Sequence, residues 1–274
     1  MGILITGEKG FVGSRLAEFL KGSGRKVFFL EKDLIDREGI LSCNFGEPIE
    51  AIVHLAGIIG GRKTEDFQRI NVEGTRNIVD LGRKLGVKKI VFISSLRVIS
   101  SRSDPYIDSK REAEKIVAES GLLYVILRPS LIYGPGDNKN ITQLVRLMKC
   151  LPLVPAFNFS VQPVFIDDVA VAISKCLDLS ASQVINMAGS QTVSYIDLAN
   201  LLRAKGYKIK LLMAPRFFGV CLKLVSCLPF FPIAPWQAET LLTSEVFSEY
   251  YWKALLEIKE TDFPDGLDKL LKTI

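Results

Sequence analysis

Histidine is almost missing from this chain: His54 is the only one. One imidazole excludes a metal site built from several, and it excludes an ordinary Ser-His-Asp triad placed anywhere else. Cysteine is sparse and scattered. Cys43, Cys150, Cys176, Cys221 and Cys227 form an odd set with neither the density of a disulfide scaffold nor the paired spacing of a zinc site. No metal is expected, and a reduced, cytoplasmic compartment fits best. Runs of like charge are also lacking. The net charge of +5 is spread along the sequence, which mildly favours anionic ligands and gives no case for nucleic acid. The N-terminal Gly2-Ile3-Leu4-Ile5 is strand-like, with no basic flank or cleavage site, so no signal peptide is expected.

A long unbroken apolar run is lacking too. The richest stretch, 217–236, holds Phe217, Phe218, Val220, Leu222, Leu224, Val225, Phe230, Phe231 and Ile233 with Lys223 as its only charge. Pro229, Pro232 and Pro235 interrupt it, which a membrane-spanning helix of roughly 20 residues would not tolerate. It reads as a cap over a substrate cleft or a subunit contact, with membrane-surface docking as the alternative.

What the chain does have is alternation. It has 274 residues, 48% of them hydrophobic, enough to bury a core as one large domain or as a domain with a smaller appendage. Strand patterns at 3–6, 26–30, 51–55, 89–94 and 123–128 alternate with helical patterns at 11–20, 70–85 and 106–118. Short apolar strands separated by amphipathic helices imply crossovers and a parallel sheet covered on both faces. The expected class is α/β, a doubly wound Rossmann sheet. Residues 1–160 are expected to be mainly the dinucleotide-binding domain. Residues 161–274 are expected to mix returning strands with a smaller α/β substrate-binding region. From Asn138 onward the pattern loosens, divided by Pro152, Pro155, Pro163 and Pro215.

Gly7-x-x-Gly10-x-x-Gly13 follows the first strand directly. Gly7 permits the tight turn, Gly10 lets backbone approach a pyrophosphate, and Gly13 lets the helix pack close to the sheet. The phosphates would sit at the helix's positive N-terminus. Glu31, closing the next strand, can accept hydrogen bonds from both adenine-ribose hydroxyls, which favours NAD; Lys9 and Lys32 could instead meet the 2′-phosphate of NADP. About a hundred residues on, Ser94-Ser95 ends an apolar strand and precedes Tyr106-x-x-x-Lys110. The three-residue gap puts Tyr106 and Lys110 about one turn apart on one helix face. A phenol ordinarily titrates near pH 10, and a neighbouring ammonium with a positive nicotinamide ring favours the phenolate. Tyr106 then reads as proton-transfer group, Ser95 as hydrogen-bond partner of the substrate oxygen, and Lys110 as a group touching the cofactor ribose.

Seven segments in order carry a resemblance. They are Thr6-Gly7-x-x-Gly10-x-x-Gly13, His54-Leu55-Ala56-Gly57, Asn71-x-x-Gly74-Thr75-x-Asn77, Ser94-Ser95, Tyr106-x-x-x-Lys110, Arg128-Pro129-Ser130-Leu131-Ile132-Tyr133-Gly134-Pro135-Gly136-Asp137 and Val164-Phe165-Ile166-Asp167-Asp168-Val169-Ala170. Together they resemble an extended short-chain dehydrogenase/reductase of the NAD-dependent epimerase/dehydratase kind. The resemblance implies cofactor contacts from Gly7, Lys9, Gly10, Phe11, Val12, Gly13, Glu31, Lys32, Leu55, Ala56, Gly57, Asn71, Ser94, Tyr106, Lys110, Arg128, Pro129 and Ser130. It implies Asn44 in place of the usual acidic adenine-side residue. It implies a substrate side at Ser95, Leu96, Arg97 and Tyr133, a positioning role for His54, and a homodimer through two long helices.

The chain also departs from that pattern. Leu96-Arg97 stands where similar sugar 4,6-dehydratases carry Asp-Glu, so that elimination is not expected. The 95–106 loop is shorter than in typical nucleotide-sugar epimerases. That short spacing, with Gln162-Pro163-Val164 and Leu228-Pro229, is similar to an atypical branch that includes an accessory quinone oxidoreductase subunit. The leading expectation is a Tyr106-assisted oxidoreductase or epimerase acting on a nucleotide-linked sugar. The alternatives are a nucleotide-holding structural subunit and an NADP-dependent ketone or aldehyde reductase.

Overall fold

The computed structural model describes residues 2–61, 63–150, 153–156, 160–213, 224, 226–227, 244, 246–248 and 251–274. Nearly all of the 217–236 stretch, and Leu228-Pro229 with it, lies outside the described residues. In chain order the elements are β1 (Gly2–Thr6), α1 (Phe11–Gly22), β2 (Lys26–Phe29), α2 (Arg37–Leu41), β3 (Ile49–His54), α3 (Thr64–Phe67), α4 (Gly74–Leu85), β4 (Lys89–Ile93), α5 (Pro105–Ala118) and β5 (Leu123–Pro129). There follow β6 (Leu131–Tyr133), α6 (Asn140–Cys150), β7 (Val154–Ala156), β8 (Ser160–Val161), β9 (Pro163–Phe165), α7 (Ile166–Asp178), β10 (Gln183–Met187), β11 (Val193–Ser194), α8 (Tyr195–Ala204), β12 (Leu211–Met213), α9 (Trp252–Leu255) and α10 (Phe263–Leu271). A π-helical turn, Gln68–Glu73, joins α3 to α4, and a 3₁₀ turn, Leu96–Ile99, follows β4.

Two units are distinguished by their internal packing. The first comprises Met1–Ser130, Ile166–Met187 and Glu249–Glu260; the second comprises Leu131–Phe165, Ala188–Ser248 and Thr261–Ile274. The first contains a six-stranded parallel sheet in the order β10-β5-β4-β3-β1-β2. This is the doubly wound arrangement expected from the alternation. β1 and β4 are buried throughout, as strands covered on both faces must be. One face packs Leu4, Ile52, Ile90 and Phe92 against Ile78, Leu81, Ala113 and Val117 of α4 and α5. α1 and α7 pack against each other, and α7 lies along β4 and β5.

The chain leaves β1 for β2 on one side, then returns to β3 on the other. That reversal opens a crevice beyond the carboxyl ends of β1 and β3, the place where such sheets bind ligands. The Gly-rich turn follows β1 and Leu55-Ala56-Gly57 follows β3, so both motifs lie there. In the second unit, β6 pairs with β9, β7 with β12, and β8 with β11.

Candidate active site

The turn after β1 is shaped by its glycines. Gly7 has φ +78°, and a Cβ there would stand 2.8 Å from the Ala56 amide nitrogen. A Cβ on Gly13 would meet the Gly7 carbonyl oxygen at 2.1 Å, so α1 can approach the turn only without a side chain. Gly10 differs. It is exposed, and a Cβ would touch only the Gly7 carbonyl, at 3.1 Å. As N-cap of α1 it offers no side-chain cap, and no acidic residue stands in the first turn, so that positive helix end faces outward unneutralised by its own residues. Phe11 and Val12 are half-buried in this first turn, and Lys9, Glu31 and Lys32 are exposed. Asn44 is also exposed, its Oδ1 accepting the Gly46 amide at 2.9 Å within a local turn.

Behind the crevice runs a buried chain of hydrogen bonds. Ala56 N–H donates to Thr6 Oγ1 at 3.2 Å, and Thr6 Oγ1 lies 2.7 Å from His54 Nδ1. His54 Nε2 lies 3.0 Å from Thr75 Oγ1, whose proton goes to the Asn71 carbonyl at 2.6 Å. Since the Thr75 proton is spent, His54 donates from Nε2 and accepts the Thr6 hydroxyl proton at Nδ1. Burial, with Lys110 nearby, pulls His54 down to about 3, so the ring is neutral. The Asn71 side chain sits on the π-helical turn. Its Oδ1 accepts Ile58 N–H at 2.8 Å, and its Nδ2 donates to the Ile58 carbonyl and to Ser109 Oγ. Ser109 Oγ donates to the Tyr106 carbonyl. Thr6 and Thr75 stand within the segments quoted above but with no role given them, and Ser109 is one of the unspecified positions between Tyr106 and Lys110.

Tyr106, on the first turn of α5, is buried, with Ser95 beside its phenol. Burial pushes that phenol above its ordinary value, with Ser95 and Arg97 acting the other way and Asp104 adding to the rise. The depression expected from Lys110 is not seen in the protein alone: Lys110 is not among the groups acting on the phenol, and its Nζ is turned to the Ile93 carbonyl. Lys110 is buried with its Nζ donating to the Ile93 carbonyl at 2.8 Å and lying 4.7 Å from the Phe92 ring centroid. Burial lowers the ammonium to about 8, and Glu114 opposes that. Ser94 is buried, and its Oγ has no hydrogen-bond partner among the described residues.

The remaining sequence-derived residues sit as follows. Leu96 is fully buried as a core side chain, and Arg97 pairs with Asp104. Arg128, expected among the cofactor contacts, donates to both carboxylate oxygens of Glu114 at 2.9 and 2.5 Å, tying β5 to α5. Pro129 is buried, and Ser130 N–H donates to the Met187 carbonyl. Tyr133 belongs to the second unit and is fully buried there. Its ring packs on Phe165 and Phe263, its hydroxyl donates to the Phe263 carbonyl at 3.4 Å, and Gly266 leaves room for it. Asp104, with Pro105 directly behind it, is the helix-start signature that sequence reasoning could have used and did not.

The family model for the NAD dependent epimerase/dehydratase family matches residues 3–188. The chain belongs to the NAD-dependent epimerase/dehydratase family. That is a family of enzymes. A UDP-glucose 4-epimerase from Vibrio cholerae is 29% identical over 245 residues, covering 73% of this chain and 74% of that protein. A ceramide reductase from Caulobacter vibrioides is 30% identical over 172 residues, covering 57% of this chain but only 54% of its own length. Among solved structures, UDP-glucose 4-epimerase from Thermotoga maritima superposes with a TM-score of 0.78 at 20% identity, covering 100% of this chain and 98% of that one. The likeness is one of fold. No helix among the described residues is long and apolar enough to cross a membrane, and no cluster of metal-ligating side chains occurs among them.

Proposed function

We propose that this protein is an NAD-dependent enzyme that moves hydride at a hydroxyl-bearing carbon, with a nucleotide-linked sugar as substrate and epimerisation as the net result. Two features of the first unit fit a dinucleotide. Gly10 is the glycine of the turn that packing constrains least, as expected where a pyrophosphate approaches the backbone. The buried Ser94 hydroxyl has a hydrogen bond still to make. Gly7 to Gly13, Glu31, Ala56, Gly57 and Lys110 would hold the cofactor. When bound, it supplies the hydride acceptor and returns the hydride.

The observation that carries the reading is the buried Tyr106 with Ser95 beside its phenol and a buried Lys110 one turn along α5. The Tyr106 oxygen takes and returns the hydroxyl proton, and Ser95 steadies the substrate oxygen as its charge changes. Lys110 is mostly an ammonium at neutral pH and would meet the cofactor ribose. Leu96, apolar and enclosed, supplies no acid for elimination of water. A net oxidoreductase is the second reading, favoured because the ceramide reductase matches at an identity similar to the epimerase's, though over a shorter stretch.

The test is to identify the nucleotide released from purified protein and assay a panel of UDP- and TDP-sugars with wild type and Tyr106→Phe. Loss of at least about a hundredfold in kcat is expected for Tyr106→Phe, and unchanged turnover would remove it as the acid/base. Sugar inversion without accumulating reduced cofactor marks the epimerase; accumulation marks the oxidoreductase. Nucleotide retained with no turnover on any sugar, ketone or aldehyde would favour a structural subunit.

A further inference from the structure

We propose that Arg97 and Asp104 are a positioning pair for Tyr106, in which the carboxylate that starts the tyrosine's helix holds a guanidinium beside the phenol ring. The proposal rests on the reading of Tyr106 as proton-transfer group. Asp104 Oδ1 accepts the Ile107 N–H at 2.8 Å, capping α5 one residue after Tyr106. Its other oxygen, Oδ2, accepts from Arg97 Nη2, also at 2.8 Å. The two side chains are only 19% and 8% exposed, so the pair is shielded from solvent screening. Arg97 Cζ lies 6.0 Å from the Tyr106 ring centroid, at the edge of cation–π range.

Arg97 also faces back toward Ser95. Its backbone N–H donates to Ser95 Oγ at 3.3 Å, so one residue links the serine beside the phenol to the aspartate that begins the helix. From outside, Arg111 donates to the carbonyls of Val98, Ser100 and Arg102 at 2.9, 2.6 and 3.0 Å. The short loop between Ser95 and Tyr106 is therefore tied at both ends and along its length.

The groups acting on the phenol are Ser95 and Arg97 from the turn and Asp104 at the start of α5, while Lys110 of α5 is turned to the Ile93 carbonyl. Arg97 favours the phenolate and Asp104 opposes it. Removing each must then move the tyrosine in opposite directions. A pair that merely braces the loop would not do this, because either variant breaks the same bridge.

The experiment is a pH titration of ¹³Cζ-tyrosine-labelled protein by NMR, with the Tyr106 resonance assigned by its loss in Tyr106→Phe. Arg97→Met is expected to raise the Tyr106 midpoint by about one pH unit and Asp104→Asn to lower it by a similar amount. Arg97→Lys should stay near wild type. Displacement of both variants in the same direction, or of neither, overturns the proposal. Asparagine keeps the helix cap. Should Arg97→Met not fold, Asp104→Asn decides alone, and a midpoint at or above wild type overturns the pair. The titration needs no substrate, so it stays separate from the turnover assay. Turnover surviving in Tyr106→Phe would remove the catalytic reading and leave the positioning result intact.

Discussion

Protonating His54 would put a charge where water does not reach and where both ring nitrogens already have fixed partners. Its folded value, about 3, lies below the ordinary 6.5. As pH falls, the unfolded chain takes the proton first. The stabilisation is therefore complete above about pH 6.5 and is lost progressively toward pH 3. Between pH 7 and pH 5 the loss should be ~2 kcal/mol, and no other side chain of this type contributes, because the chain has a single histidine. Denaturant unfolding at the two pH values measures it, and His54→Gln should flatten the difference. A wild type equally stable at pH 7 and pH 5 would contradict the buried neutral ring. The sequence offers a histidine at a strand end and so a positioning role. It does not show that the ring joins Ala56 to Asn71, since the partners Thr6 and Thr75 look like any strand or helix threonine.

At the scale of elements, α7 ends on a lysine from another strand. Lys89, at the start of β4, donates to the carbonyls of Cys176, Leu177 and Leu179 at 3.4 Å, 2.6 Å and closer. Those carbonyls belong to the last turn of α7 and the residues after it, where a helix has unpaired acceptors and a negative end. Burial lowers the lysine's value, with Asp178, Cys176 and Glu50 acting the other way. Lys89→Met keeps the stem and removes the donors. It should cost ~1–3 kcal/mol and speed amide exchange in the last turn of α7 before that in β4. Uniform exchange across the first unit would instead mean that the lysine stabilises the whole sheet. Elements were largely legible in the sequence, because strands buried on both faces announce themselves as apolar runs. The π-helical turn at Gln68–Glu73 was not: it reads as part of one long helical pattern, and its extra residue is what carries Asn71 to Ile58 and Ser109. Likewise Arg128 reads as a cofactor contact from its motif, whereas its partner Glu114 lies on a helix face that periodicity leaves undistinguished.

For the molecule as a whole, the ligand enters the stability. A nucleotide that binds only the folded protein adds ~2.7 kcal/mol at a hundred times its Kd, which should raise Tm by several degrees. With the Glu31 carboxylate exposed just beyond β2, NAD is expected to give the larger shift and NADP the smaller. Glu31→Ser should narrow the gap. Equal shifts in wild type would mean that Lys9 and Lys32 compensate for the carboxylate. The doubly wound sheet and the crevice at its reversal follow from the order of the motifs. The substrate side was less legible, since Tyr133 turns out to be enclosed by Phe165, Phe263 and Gly266 of its own unit.

The order in which the first unit is assembled along the chain has a consequence for synthesis. A nascent chain that has emerged as far as residue 160 carries the Gly-rich turn, Tyr106 and Lys110, but neither α7 nor β10. The backbone edge of β5 then has no strand to pair with, and the apolar surface meant for Val169, Ala172 and Ile173 of α7 faces water. The first 160 residues, which hold most of the nucleotide-binding domain, are thus not a complete folding unit. A ribosome must deliver nearly thirty further residues, through Met187, before that sheet can close, and chaperone protection is most needed in that interval.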